Sequence, residues 1–318
     1  MNKLPWIEKY RPKNLDMIKG QSVNIECIKK LLENRALPHL LFYGNSGTGK
    51  TSTIMSIINK LFGSNKIFSL MKLDASDDRG INSVREEIKG FAEKKKLFNR
   101  GIKIIILDEA DNMTFDAQFA LRRIIEKYSE NTRFCLICNY ENKIIPAIKS
   151  RCANFKFNPI NSEIISDRLE YICLKENIKI NKKAINIISE LSNGDMRKAI
   201  NLLQSVYLKD KTLKQKSVYQ TAGVPSNVII KKFIKILNKK CSLKNKVEEC
   251  NFVIEQGYSL SIIIQKYYKY IYENKLFNEN IHLFISDMSD LENNVAKTTF
   301  SEIYFVGFIC IILKYNYY

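Results

Sequence analysis

Three short apolar runs mark the first half of the chain: HLLFYG (39–44), KIIIL (103–107) and RFCLICN (133–139). Each is rich in branched or aromatic residues and bounded by polar segments, a pattern that predicts buried strands. Between them the apolar positions recur at helical spacing, as in INSVREEIKGFAEKK (81–95) and FDAQFALRRIIEKY (115–128). Strands alternating with helices predict an α/β fold with a parallel sheet. Ser76 or Asp78 suits the cap of the first of these helices, and Asp116 the cap or first turn of the second.

Beyond Pro159 the pattern changes to helices alone. SEIISDRLEYICLKENI (162–178), KKAINIISELSN (182–193) and DMRKAINLLQSVYLK (195–209) carry apolar stripes at helical period, and no strand signal interrupts them. TAGVPSN (221–227) reads as a turn or linker, after which VIIKKFIKIL and SLSIIIQKYYKYIY resume the helical pattern. The expected organisation is a nucleotide-binding α/β domain over 1–160, a small helical domain over 161–225 and an all-α domain over 226–318. The run FVGFICIIL (305–313) is too short to span a bilayer and suits a core helix, so no membrane is expected as a partner.

Charge adds a partner class. A net charge of +18 on 318 residues favours an anionic partner, with nucleic acid the leading candidate and a lysine-rich solvated surface the alternative. The eight cysteines follow no disulfide framework; Cys135 and Cys138 form a CxxC, but inside an apolar strand and with only two histidines in the chain, which disfavours zinc. Free thiols suit a reducing compartment, and the polar N-terminus MNKLPWIEKYRP does not resemble a secretory signal.

The chemistry begins at GNSGTGKT (44–51), which fits GxxxxGKT, follows a predicted strand and opens a predicted helix. In that setting the backbone of Gly44, Asn45, Ser46, Gly47, Thr48 and Gly49 curls around phosphate oxygens. The helix start at Lys50, Thr51 and Ser52 adds its positive end. Lys50 would reach the β- and γ-phosphates of ATP, and the Thr51 hydroxyl would ligate Mg2+. IIILDEAD (104–111) supplies acids at a strand end: Asp108 for magnesium and Glu109 as general base toward an attacking water. Asn139, ending the third strand, would face the same ligand-gathering edge of the sheet, with a turn residue as the alternative. Arg197 lies in the first turn of a helix capped by Asp195, where the dipole disfavours a cation unless a phosphate is near.

The tetrapeptide DEAD raises a second reading, an RNA helicase of that name. Those enzymes need two α/β domains, whereas the chain after residue 160 shows only helical patterns.

Taken together, PWIEKYRPKNLD, the phosphate loop, LDASDDRGI, LDEADNMT with AQFALRR, NTRFCLICNY, KSRCANFKF and GDMRKAIN resemble the small subunits of replication factor C, the sliding-clamp loader of AAA+ ATPases, and most of all the eukaryotic type numbered 3 or 5. The resemblance is strong over 4–205 and weaker over 226–318. It implies an AAA+ domain, a helical lid and a helical collar that assembles subunits. The positions of Asn45 and Ser46 usually hold two prolines in that family.

Further residue roles follow from the resemblance alone. Asn139 matches the position called sensor 1, which contacts the γ-phosphate or the attacking water, and Arg197 the position called sensor 2, while Ile7, Arg11, Pro12 and Ile18 match the segment that packs on adenine. Arg151, within SRC at 150–152, matches an arginine that acts in trans on the ATP of a neighbouring subunit. Arg79, Arg85 and Lys89 are candidates for primer-template DNA phosphates, and Gln118 and Arg122 for relaying DNA binding to Glu109. Phe91, Leu97 and Phe98, flanking Lys94–Lys96, match the edge pressed on the clamp, with core packing as the alternative. The implied activity is ATP hydrolysis within a nuclear heteropentamer that loads the PCNA sliding clamp in replication and repair. A scaffold subunit with little turnover of its own is a third reading.

Overall fold

The computed structural model describes residues 4–63, 69–74, 80–93, 102–276, 280–297 and 301–315; the side chains of 80–85 and of 301 fall outside that set. Two compact units divide after Thr212.

The first unit is built on a parallel five-stranded sheet in the order β2-β3-β4-β1-β5. Its strands are β1 (His39–Gly44), β2 (Leu70–Asp74), β3 (Lys103–Asp108), β4 (Thr132–Cys138) and β5 (Cys152–Phe157). The three central strands are the three apolar runs, each covered on both faces. Successive positions along each strand go to opposite sides: Leu40, Phe42, Ile104, Ile106, Cys135 and Ile137 enter one core, with α2 (Ser22–Glu33) and α3 (Lys50–Phe62). Leu41, Ile105, Leu107, Phe134 and Leu136 enter the other, with α4 (Gly80–Glu93) and α5 (Phe115–Tyr128). A parallel sheet buried on both faces explains why these strands read as continuous apolar runs. The edge strands β2 and β5, LMKLD and CANFKF, alternate between partly exposed and more buried positions, so they carry no such run.

The capping of α5 is by Thr114, whose hydroxyl accepts from the Ala117 amide at 3.3 Å; Asp116 lies in the first turn. Ser76 and Asp78 lie outside the described residues.

After β5 come α7 (Ser162–Lys175), α8 (Lys182–Ser192) and α9 (Met196–Asp210), each opened by an Asn or Asp whose side chain accepts a backbone N–H. Of these, α7 and α9 pack on the N-terminal segment. Within α1 (Trp6–Lys9), the Trp6 ring stacks on Tyr207 at 5.7 Å and its amide donates to Gln204 Oε1 at 3.0 Å. Lys9 at 2.6 Å, together with the Tyr10 hydroxyl, holds Glu176 at the end of α7. The short α6 (Pro146–Lys149) lies between β4 and β5.

The second unit is helical throughout its described residues, from α10 (Gln215–Ala222) through α11 (Asn227–Leu237), α12 (Leu243–Cys250), α13 (Phe252–Glu255), α14 (Leu260–Glu273) and α15 (Ile281–Lys297) to α16 (Ser301–Tyr315). Its core is aromatic, with Phe233 stacked on Phe308 at 6.0 Å and Tyr267 edge-on to Phe308 at 5.5 Å. Phe305, Phe308, Ile309 and Ile312 of α16 are buried there, at the spacing of one helix face, so FVGFICIIL is a core helix. No helix among the described residues is long and apolar enough to cross a membrane. The single sheet among the described residues leaves no second nucleotide-type domain, which sets the helicase reading aside.

Candidate nucleotide site

Placing β4 between β1 and β3 brings three strand ends side by side: Gly44 of β1, Asp108 of β3, and Asn139 directly after β4. The loop Asn45–Gly49 then turns into α3. Gly44 has φ 137°, and a Cβ there would lie 2.1 Å from the Phe157 carbonyl oxygen, so a side chain is excluded where the loop leaves the sheet.

Two of these ends, at Asp108 and Asn139, border a cleft of about 250 Å³. It is lined by Ser46, Gly47, Thr48, Gly49, Lys50, Thr51 and Ser52 on the loop side, by Asp108, Glu109 and Asn139 on the sheet side, and by Ile7, Arg11, Pro12 and Ile18 of the N-terminal segment. Arg197 closes it from α9. Gly44 and Asn45 do not line the cleft; their carbonyls accept from Lys50 Nζ at 2.6 and 2.9 Å.

The Lys50 ammonium is buried and also donates to Asn139 Oδ1 at 3.1 Å. Burial holds its pKa below the ordinary lysine value, partly offset by Cys138, Asp108 and Asp111. Lysine and amide thus meet at the cleft floor, where a terminal phosphate oxygen would contact both.

Glu109 adopts φ 54° and ψ 38°, the left-handed region that residues with a Cβ avoid. Its Oε2 accepts from Asn112 Nδ2 at 3.0 Å. That strain, of order 1–3 kcal/mol, aims an exposed carboxylate at the cleft. Asp108 beside it is partly buried and pairs with Lys72 of β2 at 3.5 Å.

Asp111 was not singled out from the sequence. It is 8% exposed, and its Oδ2 accepts the amides of Asn139 and Tyr140, each at 3.2 Å. It therefore fixes the turn that presents Asn139. Its place as the last acid of DEAD is the available signal, but its partners are 28 and 29 residues away in sequence. Tyr10 and Arg168 were missed likewise. Both line the cleft, and Arg168 of α7 donates from Nη2 to the Tyr10 carbonyl at 2.8 Å while sitting 5.0 Å over the Tyr171 ring. Burial lowers the Arg168 pKa.

Arg151 does not line the cleft. It precedes β5, whose Cys152 pairs with His39 at the start of β1, whereas the phosphate loop follows Gly44 at the other end. Five residue steps of parallel strand, at roughly 3.3 Å each, put about 17 Å between those ends.

Gln118 is 1% exposed. Its amide donates to the Lys143 carbonyl at 2.9 Å and its oxygen accepts from the Ile145 amide at 2.9 Å, tying α5 to the segment before α6. Arg122, one turn on, lies 3.7 Å from Glu126. Lys89 is exposed on α4. Arg79, the side chain of Arg85, Lys94–Lys96, Leu97 and Phe98 lie outside the described residues. Phe91 packs against the core, and Lys103 lies 5.4 Å over its ring.

The donors suit magnesium. Thr51 and Asp108 offer hard oxygen donors on one cleft, and no group of three or more His, Cys, Asp or Glu side chains among the described residues is placed to share a metal. One hydroxyl and one carboxylate, completed by substrate phosphates and water, is how Mg2+ is commonly held.

Comparison with known proteins bears on the same residues. The family model for "ATPase family associated with various cellular activities" matches 40–159, the "RCF1/5-like, AAA+ ATPase lid domain" matches 167–208, and the "Replication factor C C-terminal domain" matches 225–310. The chain is 45% identical over 302 residues to probable replication factor C subunit 5 of Dictyostelium discoideum, covering 92% of this chain and 86% of that one. It is 40% identical over 306 residues to replication factor C subunit 3 of Saccharomyces cerevisiae, covering 92% and 88%. Among solved structures, the Holliday junction branch migration motor RuvB of Thermotoga maritima aligns with a TM-score of 0.55 at 16% identity, over 81% of this chain and 91% of that one, a likeness of fold. With its phosphate loop, acid pair, lid and C-terminal domain all matched, the chain belongs to the replication factor C family of AAA+ ATPases, in its subunit 3/5 group.

Proposed function

We propose that this ATPase subunit works within a nuclear, heteropentameric clamp loader that opens the PCNA sliding clamp and sets it on primer-template DNA. The observation that carries the reading is the position of Arg151. The cleft gathers the Ser46–Ser52 loop, with Lys50, an acid pair, Asn139 and Arg197, while Arg151 lies about 17 Å away at the far end of the sheet. An arginine so placed serves a site on another subunit.

In this reading ATP lies with its base among Ile7, Arg11, Pro12 and Ile18 and its phosphates over Gly47–Thr51. Lys50 and Arg197 take charge on the β- and γ-phosphates. Asn139 orients the terminal phosphate or the attacking water, and Glu109 accepts a proton from that water. Magnesium, held by Thr51 and Asp108, would neutralise phosphate charge.

The chain divides functionally into the nucleotide-binding domain (1–160), lid (161–225) and collar (226–318), the collar joining it to other replication factor C subunits. Arg79, Arg85 and Lys89 meet DNA phosphates, so binding is insensitive to sequence and weakens with salt. Phe91, Leu97 and Phe98 form the edge that meets the clamp.

The test is a reconstituted complex carrying Arg151→Ala in this chain. ATP binding at this chain's own site stays as in the wild type, and clamp- and primer-stimulated hydrolysis at the adjacent site falls by roughly 10³-fold or more. Undiminished hydrolysis there overturns the reading.

A further inference from the structure

Arg151 is held by its own chain in a defined way. Nη1 donates to the Ala147 carbonyl at 2.7 Å and approaches the Ser150 hydroxyl at 3.4 Å, and Nη2 pairs with Glu126 Oε1 at 2.5 Å. The same Glu126 oxygen lies 3.7 Å from Nε of Arg122, one helical turn earlier on α5. That Nε is buried and has no hydrogen-bond partner, although the Arg122 side chain as a whole is 37% exposed. None of the three side chains lines the nucleotide cleft.

We infer that Glu126 is a positioning residue for Arg151, fixing the guanidinium so that its remaining N–H groups face the phosphate of an adjoining subunit. The inference rests on the reading of Arg151 as an arginine that acts in trans. An exposed arginine samples many rotamers, and ordering it only at the moment of docking is costly. Here the carboxylate and the Ala147 carbonyl engage two of the three guanidinium nitrogens, and the Nε edge remains for a ligand. A carboxylate alone would cancel the charge the arginine is there to supply. Arg122 answers that difficulty: two guanidinium groups share one carboxylate, so the cluster keeps a net charge of about +1. The buried, unpartnered Nε of Arg122 is accounted for by its standing toward the same carboxylate rather than toward a backbone acceptor.

The experiment uses the full reconstituted complex in which only the site adjoining Arg151 can hydrolyse ATP. Single-turnover hydrolysis and ATP affinity at that site are measured for Glu126→Ala, Glu126→Gln and Arg151→Ala. The expected result is a roughly tenfold slower step for Glu126→Ala with unchanged ATP affinity, partial recovery for Glu126→Gln, which keeps an acceptor oxygen, and a larger loss for Arg151→Ala. A wild-type or faster step in Glu126→Ala, alongside a slow one in Arg151→Ala, overturns the role of Glu126 alone. A wild-type step in Arg151→Ala overturns the trans reading beneath it. Should Glu126→Ala not assemble, Glu126→Asp, whose shorter arm cannot make the present contact, is read in the same way.

Discussion

The amide of Met196 donates to the carbonyl of Gly47 at 3.2 Å, so the tip of the phosphate loop is bonded to the first turn of the helix that carries Arg197. Gly47 has φ 67°, and a Cβ built on it would lie 1.7 Å from Asp195 Oδ1, the oxygen that caps α9. Gly47→Ala therefore disturbs the loop and the lid together. ATP affinity should fall at least tenfold, about 1.4 kcal/mol. Amides at the start of α9 should also exchange faster. Nucleotide titration and hydrogen exchange measure the two effects, and wild-type exchange at α9 would separate loop from lid.

Glu109→Gln keeps the shape of the acid and removes its capacity to accept a proton. ATP binding should be unchanged, and turnover at this chain's site should fall by roughly 10²–10⁴-fold. Single-turnover measurements in the assembled complex read the step directly. Unchanged hydrolysis would mean that this site contributes little turnover.

Asp111→Ala leaves the amides of Asn139 and Tyr140 without their acceptor. The destabilisation should be on the order of 2–4 kcal/mol, visible in denaturant unfolding. Asp111→Asn retains an acceptor oxygen, should lose less stability, and should still slow hydrolysis if Asn139 shifts.

Arg168→Ala frees the Tyr10 carbonyl from its tie to α7. Adenine-nucleotide affinity should weaken by roughly five- to tenfold, because the N-terminal wall of the cleft is no longer fixed. Arg168→Lys should not restore it, since a point-charge ammonium lacks the planar fork that serves carbonyl and ring together. Titration of the three chains with a fluorescent ATP analogue decides this.

His39 sets a pH dependence. Burial, with a smaller contribution from Arg133, pushes its pKa from 6.5 down to about 4, and its Nδ1 accepts from the Phe134 amide at 3.1 Å. The ring is neutral in the fold, while the unfolded chain protonates it near 6.5. The contribution of His39 is thus complete above pH 6.5 and is lost as the pH falls toward about 4. The loss is on the order of 1 kcal/mol, discounted for the solvent that still reaches the ring. Chemical denaturation across that window should slope less in His39→Gln.

The sequence alone determined the parts whose physics is local. A doubly buried parallel strand must be apolar along its length, so β1, β3 and β4 were legible as runs. A loop that wraps phosphate needs glycines at set spacing and a helix behind it, so Gly44–Thr51 was legible as a candidate site, as were Asp108 and Glu109 at a strand end, and the fold brings Ser46–Thr51 and both acids to one cleft. The edge strands β2 and β5 were not, because one open side relaxes the demand for apolar residues. Other features were decided only by the tertiary structure. Asp111 reaches the amides of Asn139 and Tyr140 because β4 inserts between β1 and β3. Arg168 meets Tyr10 because α7 packs on the N-terminal segment. Arg151 lies at the opposite end of the sheet from Lys50 because β5 runs parallel to β1, and its grip by Glu126 depends on α5 and α6 meeting. Each of these is a contact between residues distant along the chain, set by strand order and helix packing, and no periodicity or spacing in the sequence encodes it.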